Sequence, residues 1–334
     1  MKISASIYSS KTATIENVVA ELDNYEVDLF HIDCNDNEAV FADISYINQT
    51  SKTPVDLHII SNSPERFFAA ISSHQIQQVS FQYENLKGKV NFPKVLNAEI
   101  GLAITSSTPI DVFEEYKSEC SFVLLMTTTP GQSGGIFDKN TFKRIREFQH
   151  KYPGVAIQVD GGVNAEVSFI LRNLGVECAV VGSYLFSKSI GVALLNLKKE
   201  VVGSHYLLKD FMMTPDELPI IQENELSFEK ALKSIDSYKM AFTLVVDSSG
   251  KLTGLISNAD VRKGLLKNIQ NLNAINPQDI INPKPLHLNE NSTIHDLLKF
   301  IKQCNFPLQY LPVTDDNNKL SGAILFTHLI KGEL

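Results

Sequence analysis

The 334-residue sequence predicts an α/β fold, a (β/α)₈ barrel followed by a smaller module, and three observations lead there. Over the first 200 residues, short apolar runs alternate with longer amphipathic stretches, the rhythm of parallel strands joined by right-handed crossovers. Eight such runs occur, the number that closes a barrel of this kind. From about Lys209 the rhythm changes, and a new pattern begins that occurs twice. An open doubly wound sheet also alternates strands with helices, but no Gly-x-Gly-x-x-Gly follows the first run to support it.

In order, the predicted strands are residues 3–8 (ISASIY), 27–33 (VDLFHID), 55–60 (VDLHII) and 76–81 (IQQVSF), then 99–105 (EIGLAIT), 121–127 (SFVLLMT), 155–160 (VAIQVD) and 178–182 (CAVVG). Helical spacing marks residues 14–22, 141–150 and 165–174, the last preceded by Asn164 as a helix cap. In the second part, residues 211–235 and 244–266 have counterparts at 280–301 and 311–334. Pro215 answers Pro283, Lys251 answers Lys319 and Gly254 answers Gly322. Two copies so related make a pseudo-twofold module in which each half covers the other's apolar face. The predicted division is 1–203 for the barrel and 209–334 for the pair, with halves at about 209–268 and 278–334.

Composition narrows the function. A net charge of −8 argues against nucleic acid as the main partner. No apolar run approaches the roughly 18 residues of a membrane span. The start, MKISASIYSSKT, lacks the apolar core of a signal peptide. Cys34, Cys120, Cys178 and Cys304 are scattered with no CxxC pair, which suits reduced structural thiols. The expectation is a cytoplasmic protein with no membrane or nucleic-acid partner.

The stretch FHIDCNDN (30–37) carries the first chemical signal. On a strand, His31 and Asp33 project from one face. In a barrel of this type the active site is built at the C-terminal strand ends. Those ends read Ser6, His31 with Asp33, His58, Gln82, Thr105, Met126, Asp160 and Gly182-Ser183. Two imidazoles and two carboxylates make a mixed shell for one Zn²⁺, Mn²⁺, Fe²⁺ or Co²⁺ ion. Asp56, two residues before His58, either orients an imidazole or makes a buried structural hydrogen bond. VDGGV (159–163) and VVGSYLF (180–186) close strands seven and eight. Their glycines suit a phosphate-binding corner, or else simply tight turns needing positive φ.

Residues 2–200 resemble ribulose-phosphate 3-epimerases, which are metal-dependent TIM barrels. The carrying segments are SASI (4–7), FHIDCND (30–36), PVDLHII (54–60), MTTTPGQSGG (126–135), VDGGV and VVGSYLF. The resemblance implies a ligand set of His31, Asp33, His58 and Asp160, with Asp33 and Asp160 as the catalytic acid/base pair. It implies Ser6 and Met126 in the substrate site, and Gly161, Gly162, Gly182 and Ser183 at the phosphate. The implied reaction takes D-ribulose 5-phosphate to D-xylulose 5-phosphate through an enediolate, with one aspartate on each side of the sugar plane. TTTPGQSGG (127–135) is placed to close over the substrate.

The sequence also departs from that family. Asn35 and Ile60 stand where methionines are usual, Asn37 replaces a glycine and Gln82 a histidine. The loop Asn-Pro-Gly-Phe-Gly-Gly has become TPGQSGG, which introduces Gln132. A hexulose 6-phosphate is therefore an alternative substrate, and a catalytically silent, nucleotide-responsive binding protein is a further one. Residues 209–334 resemble a tandem pair of cystathionine-β-synthase-type (CBS) domains, a Bateman module. MTP (213–215) and Gly254-x-x-Ser257-x-x-Asp260 carry the likeness. It implies an adenine nucleotide held by Ser257 and Asp260, and a homo-oligomer, most simply a dimer. The second copy has Leu325 and His328 at the matching positions.

Overall fold

The computed structural model describes residues 1–93, 96–187, 189–198, 205–272, 275–304, 306 and 308–326. They form two units, one reaching residue 198 and the other starting at residue 205. In the first, eight parallel strands close into a barrel in sequence order. They are β1 Lys2–Ser6, β2 Leu29–Cys34, β3 Val55–Ile59, β4 Gln78–Gln82, β5 Glu99–Thr105, β6 Phe122–Met126, β7 Ala156–Asp160 and β8 Cys178–Val181. The helices are α1 Ile15–Asn24, α2 Val40–Thr50, α3 Phe68–Ser73, α4 Asn140–Lys151, α5 Ala165–Asn173 and α6 Ile190–Lys198.

All eight predicted strands are present, and the three predicted helices are α1, α4 and α5. Asn164 caps α5 by accepting from the N–H groups of Glu166 (2.9 Å) and Val167 (3.1 Å). The crossovers from β4 to β5 and from β5 to β6 contain no α-helix among the described residues. Short 3₁₀ turns, Tyr83–Asn85 and Ile110–Glu115, stand there instead. Gly88 at φ 112° and the prolines at 93 and 109 interrupt helical continuation in these segments.

The inside of the barrel has two chemical halves. Ala103, Phe122, Leu124, Met126 and Val180 form an apolar cluster. Gly101 makes room for it, since the Phe122 ring lies 2.2 Å from where a Cβ on that residue would sit. The other half is polar and fully buried: Ser4, His31, Asp56, His58, Gln78, Ser80, Gln82 and Gln158. Most of these groups are hydrogen-bonded, as buried polar atoms usually are, while Ser80 Oγ and His31 Nε2 are not. Gln78 and Gln158 satisfy each other with reciprocal amide bonds of 2.9 and 3.0 Å.

The second unit repeats one motif. In the first copy β9 Ile220–Gln222, β10 Phe242–Val246 and β11 Leu252–Ser257 pair in the order β11-β10-β9. In the second copy β12 Leu288–Asn289, β13 Tyr310–Thr314 and β14 Leu320–Leu325 pair as β12-β13-β14. Helices α7 Leu208–Phe211, α8 Phe228–Tyr238, α9 Asn258–Lys267 and α10 Ile294–Gln303 accompany them. The copies meet in a symmetric pair of bonds, Leu252 N–H to Asn318 (3.0 Å) and Leu320 N–H to Gly250 (2.9 Å). Residues of both copies share one core: Phe242, Leu244, Val246 and Leu252 from one, Leu320 and Ala323 from the other. The Phe242 and Tyr310 rings stack with centroids 4.2 Å apart. Residues 199–204, where the domain boundary is expected, and 327–334, which complete the second copy, lie outside the described residues. No helix among the described residues is long and apolar enough to cross a membrane.

Candidate active site

Strand alternation sends Phe30, Ile32 and Cys34 to the outer face of β2 and His31 and Asp33 to its inner face. The parallel register sets Ser6 beside His31 and Asp33 beside His58. His31, Asp33 and His58 each present a ligand atom, and the three atoms lie within 4.8 Å of one another. Asp160 is not part of this trio; it lines the same cavity as Asp33, from β7.

The surroundings of His31 bear on whether the trio could hold a cation. Its Nδ1 is 2.8 Å from Asp56 Oδ2, and Asp56 also accepts from Ser4 Oγ at 2.7 Å. Only an N–H at Nδ1 satisfies a carboxylate there, so when the ring is neutral its lone pair is on Nε2. That Nε2 is buried with no hydrogen bond, 3.4 Å from Asp33 Oδ1. His58 Nδ1 faces the same oxygen at 3.1 Å. An imidazole held from behind by a carboxylate, with its free nitrogen aimed at another carboxylate, fits a divalent ion. Asp56 therefore orients an imidazole, one of the two roles expected for it.

The electrostatics divide the two cavity carboxylates. Burial opposes ionisation of Asp33, but the nearby His31 and His58 rings outweigh this and hold it far below the usual range. Burial pushes Asp160 up; His31 pulls it back and the Asp33 charge lifts it again, leaving it at about 6. Burial disfavours a charged His31, yet the Asp56 charge and the contacts with Asp33 and Asp56 raise it well above an ordinary imidazole. One aspartate is thus ionised at neutral pH while the other retains a proton more readily.

The cavity at the mouth has a volume of about 100 Å³. Ser6, Asp33, Asp160, Gly161, Gly162, Gly182 and Ser183 line it, as do Thr128 and residues 131–134 of the β6–α4 loop. Met126 does not; it lies in the apolar cluster inside the barrel. No lysine or arginine is among the lining residues, so an anion there meets backbone N–H groups and hydroxyls. Gly162 has φ 62°, and a Cβ on it would lie 2.3 Å from Phe137 N. Gly161 (φ 110°) and Gly162 have the positive φ expected of a tight turn, Gly182 does not, and all three line the cavity.

Several residues at the site escaped the sequence reading. Ser133 donates to Ser9 (3.1 Å), which donates to Ser6 (3.1 Å), so a hydroxyl chain ties the loop to β1. The missed signal is that β1 ends at Ser6 and a 3₁₀ turn, Ile7–Ser9, carries Ser9 back to the mouth. Asn35, read in the sequence as a departure from the family, packs against Gly131, whose Cβ position would be 2.4 Å from Asn35 Oδ1. Glu84, two residues past Gln82, accepts from Thr105 N–H and Oγ1, each at 2.9 Å.

In the second unit Ser257 and Asp260 form a capping box at the start of α9. Asp260 N–H donates to Ser257 Oγ (3.2 Å) and Ser257 N–H to Asp260 Oδ2 (3.1 Å). Thr293 and Asp296 do the same for α10. His328, the second-copy counterpart of Asp260, lies outside the described residues.

The family model described as the ribulose-phosphate 3 epimerase family matches residues 2–186. The chain belongs to that family. The CBS domain model matches residues 208–267 and 278–333. The ribulose-phosphate 3-epimerase of Bacillus subtilis is 25% identical over 203 residues, covering 57% of this chain and 94% of its own. That of Methanocaldococcus jannaschii is 26% identical over 228 residues, 63% of this chain and 97% of its own. The cytoplasmic isoform from Oryza sativa is 25% identical over 217 residues, 61% of this chain and 95% of its own. Among solved structures, that of CBSX2 in complex with AMP covers 38% of this chain and 96% of its own, at 23% identity and a TM-score of 0.32. The chain is thus a ribulose-phosphate 3-epimerase-like isomerase, a sugar-phosphate epimerase barrel fused to a CBS pair.

Proposed function

We propose that the barrel inverts C3 of D-ribulose 5-phosphate to give D-xylulose 5-phosphate. His31, Asp33 and His58 hold one divalent ion (Zn, Mn, Fe or Co), with Asp160 on the wall of the same cavity as the fourth ligand. The observation that carries this reading is the trio within 4.8 Å, its two imidazoles buried and His31 Nε2 turned into it without a hydrogen-bond partner. When bound, such an ion supplies Lewis acidity that polarises the C2 carbonyl and acidifies the C3 hydrogen. The protein's own groups do the rest. N–H groups of Gly161, Gly162 and Gly182 and the Ser183 hydroxyl anchor the phosphate, which fixes where C3 lies. Asp33, ionised, takes the C3 proton from one face. Asp160, protonated, delivers one to the other face, and in the reverse direction the two exchange roles. Residues 128–134 keep water out.

Deuterium wash-in tests this. With Mn²⁺ in D₂O, D-ribulose 5-phosphate should exchange at C3 and give D-xylulose 5-phosphate. Gln132 in the cavity wall and Asn35 behind Gly131 favour one second reading, a hexulose 6-phosphate as substrate. Exchange confined to hexulose 6-phosphates would select it. Exchange into none of a broad panel would leave a silent binding barrel.

For the CBS pair we propose an adenine nucleotide at Ser257 and Asp260, and a homodimer formed through the module. Light scattering of the full chain tests the dimer: a monomer mass at micromolar concentration removes it.

A further inference from the structure

Of the two imidazoles in the trio, only His31 has a carboxylate behind it. The second nitrogen of His58, Nε2, lies 2.9 Å from Gln82 Oε1. Both residues are fully buried, so neither exchanges that partner for water.

The far end of the amide decides which of its atoms faces the ring. Gln82 Nε2 points at two acceptors, Glu84 Oε2 in a short contact and the Ala103 carbonyl at 3.4 Å. Turning the amide over would set its oxygen against a carboxylate and a carbonyl, and its NH₂ against the ring. Glu84 is itself fixed, because Oε1 accepts from Thr105 N–H, Thr105 Oγ1 and Thr108 Oγ1. A pinned carboxylate thus pins an amide, and the amide offers His58 Nε2 an acceptor. Nε2 therefore carries a ring proton, and when a cation is bound it is Nδ1, on the side of Asp33, that gives up its proton and presents the lone pair.

We propose that Gln82, held by Glu84, is a positioning residue that selects the His58 tautomer and so makes Nδ1 a metal-ligating nitrogen. The proposal rests on reading the trio as a divalent-cation site. It also makes the two imidazoles unequal: His31 is backed by a carboxylate and His58 by a neutral amide, so His31 is the stronger donor.

The test uses the full-length protein stripped of metal. Imidazole ¹⁵N shifts should show His58 carrying a proton on Nε2 and, once Zn²⁺ is added back, none on Nδ1. In Gln82→Met, of similar volume but without an acceptor, that preference should be lost. Co²⁺ affinity, read from visible absorption in competition with a chelator, should fall about 10–100-fold in this variant. The paired variant Gln82→Glu/Glu84→Gln again offers His58 an acceptor steadied by a donor, and should bind Co²⁺ within a few-fold of wild type. Melting of the metal-free variants separates these effects from unfolding. If Gln82→Met keeps the wild-type tautomer and Co²⁺ affinity, the proposal is overturned while the cation site stands. If the wild type shows the Nε2–H tautomer but takes up no Co²⁺, the cation reading fails and the ligating role fails with it.

Discussion

Asp33 and Asp160 bring the same functional group into two opposite settings, and measurements can separate them. Asp160→Asn removes a proton carrier but keeps its shape, so C3 exchange should drop by about 10²–10⁴-fold, far more than substrate affinity does. Comparable losses in both would count against the two-aspartate mechanism. The same variant has a stability signature. Burial raises Asp160 from 3.8 to about 6, so the folded state binds its proton more tightly than the unfolded chain. That contribution is fully present below 3.8 and disappears as pH rises through about 6. Metal-free Asp160→Asn should therefore melt higher than wild type at pH 7, and the gap should close by pH 4. Much of this chemistry was legible in the sequence, since period-two alternation alone puts His31 with Asp33 and Asp56 with His58. The role of Glu84 was not legible, because it depends on β4 and the β5 end being side by side in the closed ring.

Strand-to-helix turns shape the mouth. In Gly162→Ala the new methyl would meet the Phe137 backbone at φ 62°. Calorimetry should show a loss of roughly 1–3 kcal/mol, and affinity for inorganic phosphate should fall with it. Ser257→Ala removes a helix cap and should cost about 1 kcal/mol with no nucleotide present, measured by denaturant titration. If stability is unchanged, Ser257 is not serving as a cap. Strand positions were readable because each run is apolar and short, as with β5, whose predicted and observed limits coincide. The crossovers after β4 and β5 were less so, because Gly88 and the prolines at 93 and 109 favour 3₁₀ turns and coil.

Across the whole molecule, the repeat in the second unit was readable from matched pairs such as Lys251 with Lys319, which the structure sets opposite each other in an antiparallel bridge. What no pattern of residues announced was the glutamine pair deep in the barrel. Gln78 and Gln158 are eighty positions apart and meet only once the ring has closed. If the second unit binds an adenine nucleotide, AMP, ADP or ATP should raise the melting temperature of the full chain, and Asp260→Ala should cancel the rise. No shift with any of the three in the wild type would leave the module a structural clamp.

A doubly charged phosphate ester approaching this mouth finds hydroxyls, amide dipoles and an ionised Asp33, but no fixed ammonium or guanidinium. A divalent ion at the proposed trio would offset the Asp33 charge, so sugar-phosphate binding should strengthen with metal present. Equilibrium dialysis of ribulose 5-phosphate should show weaker uptake by chelator-treated protein than after Mn²⁺ is added back.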